Sequence, residues 1–154
     1  MTAREFFQDV AKAVAEHREA ELALLYGPPR RPGAPGGGGV SSPVEARVES
    51  NEKAREVMAA TEEVIGRGLR RIEELRAVFG ESRAEAVELH YIDLVPWDDV
   101  AAEMGVGRAT VFRWCDLMFD WIDSYGWARL ALGVGTADDS AEYRPALEGE
   151  TPKC

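Results

Sequence analysis

The stretch Val100-Ala101-Ala102-Glu103-Met104-Gly105-Val106-Gly107-Arg108-Ala109-Thr110-Val111-Phe112-Arg113-Trp114 decides how this chain folds. It reads as two helices joined by a tight turn. Gly105 stands where the turn needs a left-handed backbone, which costs glycine little. Ala101 is small, so a second helix can cross close above it. Val100, Met104, Val106, Val111 and Trp114 are apolar at spacings that face the core of such a pair. This register defines a helix-turn-helix pattern, whose second helix typically enters the DNA major groove. An αα-hairpin with a glycine turn also occurs in helical proteins that never touch DNA.

The second helix begins at Arg108. Val111, Trp114, Met118, Trp121, Ile122 and Tyr125 form its expected core stripe. Arg108, Ala109, Thr110, Phe112 and Arg113 are the expected DNA-contacting residues, and Gly105 and Gly107 form the turn. One of the two arginines would read guanine and the other would hold phosphate. Thr110 would donate to phosphate, and Phe112 would touch a thymine methyl.

Charge sets a competing expectation. Between Glu81 and Trp127 ten acidic residues face only Arg83, Arg108 and Arg113, leaving that segment near −7. Phosphate neutralisation supplies much of DNA affinity. An acidic head must therefore bind weakly, present its few arginines on one face, or take positive charge from elsewhere. The same acidity suits a different class of function, a protein-interaction module that docks on RNA polymerase or mimics DNA.

Working outward, the chain has 154 residues, a net charge of −10 and 45% hydrophobic residues, enough for one domain or a small domain with a helical arm. It lacks the basic footprint of many nucleic-acid binders. Cys115 and Cys154 are the only cysteines, a pattern that fits a reducing cytoplasm better than a disulfide framework. No apolar run is long enough to span a membrane, and the N-terminus lacks the layout of a signal peptide.

The first helix is expected over residues 1–26, entered through a Thr2/Glu5 capping box and carrying a stripe of Phe7, Val10, Val14, His17 and Leu24. A flexible linker is expected over 27–41, where glycine and proline dominate. Ser42-Pro43-Val44-Glu45 restarts helix, and a long helix is expected over 42–80 with a break near Ser50-Asn51. Its stripe reads Val57, Met58, Thr61, Val64, Ile65, Leu69, Ile72, Leu75 and Phe79. Arg55, Arg67, Arg70, Arg71 and Arg76 lie among glutamates on its other side, which reads first as a solvated, ion-paired face and second as a basic strip near DNA.

The head is expected over 81–132. A second capping box, Ser82-Arg83-Ala84-Glu85, would start its first helix, and Pro96 would open the next, with Asp98 and Asp99 at its positive end. A disordered acidic tail is expected over 133–154. The fold class is thus all-α, a two-helix N-terminal arm and a C-terminal helix-turn-helix head.

Enzyme signatures are missing from the sequence. There is no His-Glu-x-x-His, Cys-x-x-Cys, Walker glycine loop or Gly-x-Ser-x-Gly, and the Gly36–Gly39 run has no Lys-Ser/Thr after it. No enzyme activity, metal or cofactor is expected. His17 and His90 each fall in an amphipathic pattern, so packing or exposure explains them.

Leu89-His90-Tyr91-Ile92-Asp93, then Trp97, then Val100 to Val111 resembles sigma-factor region four: a helix ending in a leucine-x-tyrosine signature, a short gap, then the helix-turn-helix. The wider arrangement resembles phage and prophage late-transcription regulators of the RinA and ArpU type. The resemblance spans roughly residues 3–125, with its specific residues in 89–114. Gly107 stands where that family usually has a serine cap. The resemblance implies a sequence-specific transcriptional regulator, encoded by a phage or prophage, that binds double-stranded promoter or operator DNA. The apolar stripes of the first two helices are longer than a small head needs to bury, so these helices are expected to pair with each other and form a homodimer. A small terminase subunit is a further alternative, although those usually place the helix-turn-helix before the oligomerisation helices.

Overall fold

The structure, a computed structural model, describes residues 1–27 and 43–135. Six helices and no strand occur among the described residues: α1 (Ala3–Tyr26), α2 (Pro43–Phe79), α3 (Glu81–Tyr91), α4 (Trp97–Met104), α5 (Arg108–Tyr125) and α6 (Trp127–Gly135). The chain is therefore all-α, as its periodicity indicates. The linker expected over 27–41 lies, from residue 28, outside the described residues. The expected tail lies outside them from residue 136, and α6 carries helix to Gly135 rather than stopping at Leu132.

The entry to α1 is the capping box read from the sequence. Thr2 Oγ1 accepts the Glu5 N–H at 3.2 Å, and a Glu5 carboxylate oxygen accepts the Thr2 N–H at 2.9 Å. Gly27, at φ +81°, closes the helix by donating its N–H to the Ala23 carbonyl. α2 runs without the expected break at Ser50-Asn51. Ala54, a turn further on, is buried, and tertiary packing of a helix overrides weak local propensity.

α1 and α2 run antiparallel, with Val10 against Gly68 and His17 against Thr61. A Cβ at Gly68 would lie 2.6 Å from a Val10 methyl, so the glycine is what allows the helices to approach. Leu69, expected in the stripe, is exposed, and Gly68 occupies the inward position instead. Thr61 is the buried polar residue of this pair. Its single hydroxyl proton goes to the carbonyls of Val57 and Met58, so Thr61 Oγ1 accepts from His17 Nδ1–H at 3.0 Å.

Gly80, at φ +102°, is the whole connection between α2 and α3. Its N–H closes α2 on the Arg76 carbonyl and its carbonyl accepts the Ala84 N–H. The expected Ser82 capping box is therefore not the helix start. Ser82 lies exposed within the first turn, because glycine turns the chain two residues earlier. Arg76 pins this corner with ion pairs to Glu73, Glu81 and Glu88, and hydrogen bonding to Glu73 raises its pKa.

One core joins the near ends of α1 and α2 to α3–α6. Phe7 sits at its centre, fully buried, with its ring centroid 5.5 Å from Phe119, 5.5 Å from Tyr91 and 6.0 Å from Trp127. The first turns of α1 thus pack into the head, and farther along α1 and α2 form a hairpin extending from it. No helix among the described residues is long and apolar enough to cross a membrane.

Candidate nucleic-acid interface

α4 ends in a left-handed glycine, as the sequence requires. Gly105 has φ +70° and ψ +28°. Its N–H reaches the Ala102 carbonyl at 3.2 Å, and the Val106 N–H reaches the Ala101 carbonyl at 3.0 Å. These are the two bonds of a Schellman motif, which satisfies the orphan carbonyls of a helix end. Val100, Ala101 and Val111 are buried, and Met104 and Val106 are half-buried against them. The pair α4 and α5 therefore folds on its own apolar register and turns the opposite side of α5 outward.

Gly107 is the residue before α5, extended at φ −76°, and no side chain caps the helix. The first amides of α5 are left to the solvent side. Pro96 occupies the corresponding place before α4, one residue earlier than expected, and Trp97 opens that helix with Asp98 and Asp99 in its first turn.

The five expected DNA-contacting residues divide. Arg108, Ala109 and Arg113 are exposed, while Thr110 and Phe112 are half-buried. Arg108 is already engaged, with Nη1 3.3 Å from the Asp98 carboxylate and its guanidinium 5.0 Å from the Phe112 ring centroid. Phe112 leans edge-on against Trp97 at 5.5 Å, and Trp97 stacks on His90 at 3.6 Å. His90 Nδ1 is 2.8 Å from the Val95 carbonyl, and burial lowers the imidazole pKa below its ordinary value. A ladder of Arg108, Phe112, Trp97 and His90 thus links the outer face of α5 to the α3–α4 turn. Part of the Phe112 ring is committed to Trp97 rather than open to a base. Arg113 has no ion-pair partner among the described residues.

The core stripe of α5 also differs from its sequence reading. Cys115 and Phe119 are buried in it, whereas Trp114 is half-buried and Tyr125 is 59% exposed. The stripe widens because α1 and α6 cover α5 from a second side. Burial pushes the Cys115 thiol up to about 12, so it stays protonated and unreactive at neutral pH.

Arg4 is a basic residue of this region that sequence reasoning missed. It pairs with Asp116 at 2.5 Å, and its guanidinium lies 5.4 Å from the Phe119 ring centroid. The Ala3 N–H donates to Asp123 at 2.8 Å. The contacts join residues 112 and 120 positions apart, so no local pattern announces them. Asp98, Asp99, Glu103, Asp116 and Asp120 are exposed around the same face, which keeps it acidic overall. No group of three His, Cys, Asp or Glu residues among the described residues is placed to hold a metal ion.

No family model matches this chain, and neither the curated proteins nor the solved structures compared with it give a match.

Proposed function

We propose that this chain is a sequence-specific DNA-binding transcriptional regulator, of the phage or prophage kind that its sigma-like pattern implies. The observation that supports this most is the outer face of α5. A glycine-closed turn presents Arg108, Ala109 and Arg113 on the first turns of a helix whose other side is buried. That is the geometry in which a recognition helix meets base edges in the major groove. A dimer reading two half-sites of an operator or promoter belongs to the same proposal.

The exposed carboxylates around α5 favour one second reading, an acidic module that docks on RNA polymerase or mimics DNA. A pull-down of genomic fragments on the immobilised protein, at low and at moderate salt, separates the two. Enrichment of discrete fragments supports the regulator. Recovery of no DNA at low salt, together with capture of polymerase, supports the docking module.

A further inference from the structure

A second basic feature lies away from the outer face of α5. Arg67, Arg70 and Arg71 recur at three- and four-residue spacing, so they share one face of α2. They line a hollow of about 420 Å³ together with Phe6, Glu74 and Trp127. Arg71 is fixed there. It pairs with Glu74 at 2.9 Å, and its guanidinium lies 4.9 Å from the Trp127 ring centroid. Phe6 packs against the same indole at 4.9 Å. Arg67 and Arg70 are exposed and have no ion-pair partner among the described residues.

This arrangement is unusual in a chain of net charge −10, and no other five-residue window of the sequence holds three cations. Like charges at these helical spacings cost a few tenths of a kcal/mol each. Here one acid answers three arginines, so two cations remain for an outside anion. Guanidinium forks match phosphate oxygens. We propose that the Arg67/Arg70/Arg71 hollow contacts the phosphate backbone of nucleic acid, separately from α5. Arg67 and Arg70 supply the free donors, and Arg71, braced by Trp127 and Glu74, shapes the floor.

The proposal rests on the DNA-binding reading for its partner but not for its residues. Trp127 follows the far end of the 18-residue α5, about 27 Å along the helix from Arg108. The hollow therefore touches phosphates distant from those near the α5 turn. It supplies positive charge that the acidic head lacks, without reading sequence.

The test titrates the full chain with a random-sequence 30-base-pair duplex across a salt series. Arg67→Ala/Arg70→Ala should lower affinity by roughly tenfold or more at low salt and reduce the salt slope by about two. Arg55→Ala, a charge change elsewhere on α2, should alter both far less. Circular dichroism checks that every variant keeps its helices. Unchanged affinity and slope in the double variant overturn the proposal, as does an equal loss from Arg55→Ala. Competition by polyglutamate as strong as by duplex, charge for charge, also overturns it in favour of an acidic peptide. If Arg108→Ala/Arg113→Ala leaves binding intact while the hollow variant loses it, the α5 reading fails and the hollow stands. No binding of duplex by the wild type overturns both.

Discussion

Gly105 carries the turn on its backbone alone. A Cβ there would meet nothing within 4 Å, yet φ is +70°. Gly105→Val should therefore destabilise the fold through backbone strain, by about 1–3 kcal/mol. Urea unfolding measures this, and an unchanged midpoint would contradict the role given to the turn. His90 makes stability depend on pH in a definite direction. Its pKa is lowered in the fold, from an ordinary value of 6.5, chiefly by burial. The unfolded chain thus takes up a proton first, and this contribution to stability is whole above about 6.5 and falls as pH drops towards the folded value. Wild type should lose more stability than His90→Gln between pH 7.5 and 5.5. An equal loss would mean that His90 titrates normally. Asp98 should act on DNA through Arg108, its partner at 3.3 Å. Asp98→Asn should raise duplex affinity by up to roughly fivefold, the scale of an exposed ion pair. In an Arg108→Ala background the gain should shrink. A gain of the same size in both backgrounds would mean simple charge repulsion. At this scale Gly105, Arg108 and Arg113 were legible because local spacing alone places them. Arg4 was not, because its partner Asp116 lies 112 positions away.

The helices themselves were legible from their apolar period and caps, and their errors have a common physical origin. A stripe drawn through side chains passes over glycine. The apolar stripe puts Leu69 inward, yet it is exposed and Gly68 beside it is the contact. Ser82 carried a capping signature, but Gly80 turned the chain first. Phe119 fell off the α5 stripe because its partner, Phe7, comes from α1. Two glycines on α2 turn this into a prediction of opposite signs. A Cβ at Gly68 would lie 2.6 Å from Val10, whereas one at Gly66 would meet nothing within 4 Å. Val10 is β-branched and stiff, so the helices must part to admit it. Gly68→Ala should destabilise by about 1–3 kcal/mol, and Val10→Ala should recover part of the loss. Gly66→Ala should stabilise by up to about 1 kcal/mol through helix propensity. Thermal unfolding reads both, and shifts of the same sign would contradict a close crossing at Gly68.

For the whole molecule, the all-α class followed from the sequence, but the way its parts share a core did not. Nothing in residues 3–7 says that they fill a space between α3, α5 and α6, because that packing is set by residues more than eighty positions away. The acidity of the head, in contrast, was countable, and it makes the functional claim testable by salt. Binding titrations of wild type and the Arg108→Ala/Arg113→Ala variant against fragments of the chain's own genomic neighbourhood, at several salt concentrations, test that claim most directly. The account predicts that the variant stays folded. A lost base contact should cost about 1–3 kcal/mol and relax preference at one position. A lost phosphate contact should weaken all sequences alike and flatten the salt dependence. Full-strength, sequence-selective binding by the double variant, or no binding by wild type even at low salt, would contradict it.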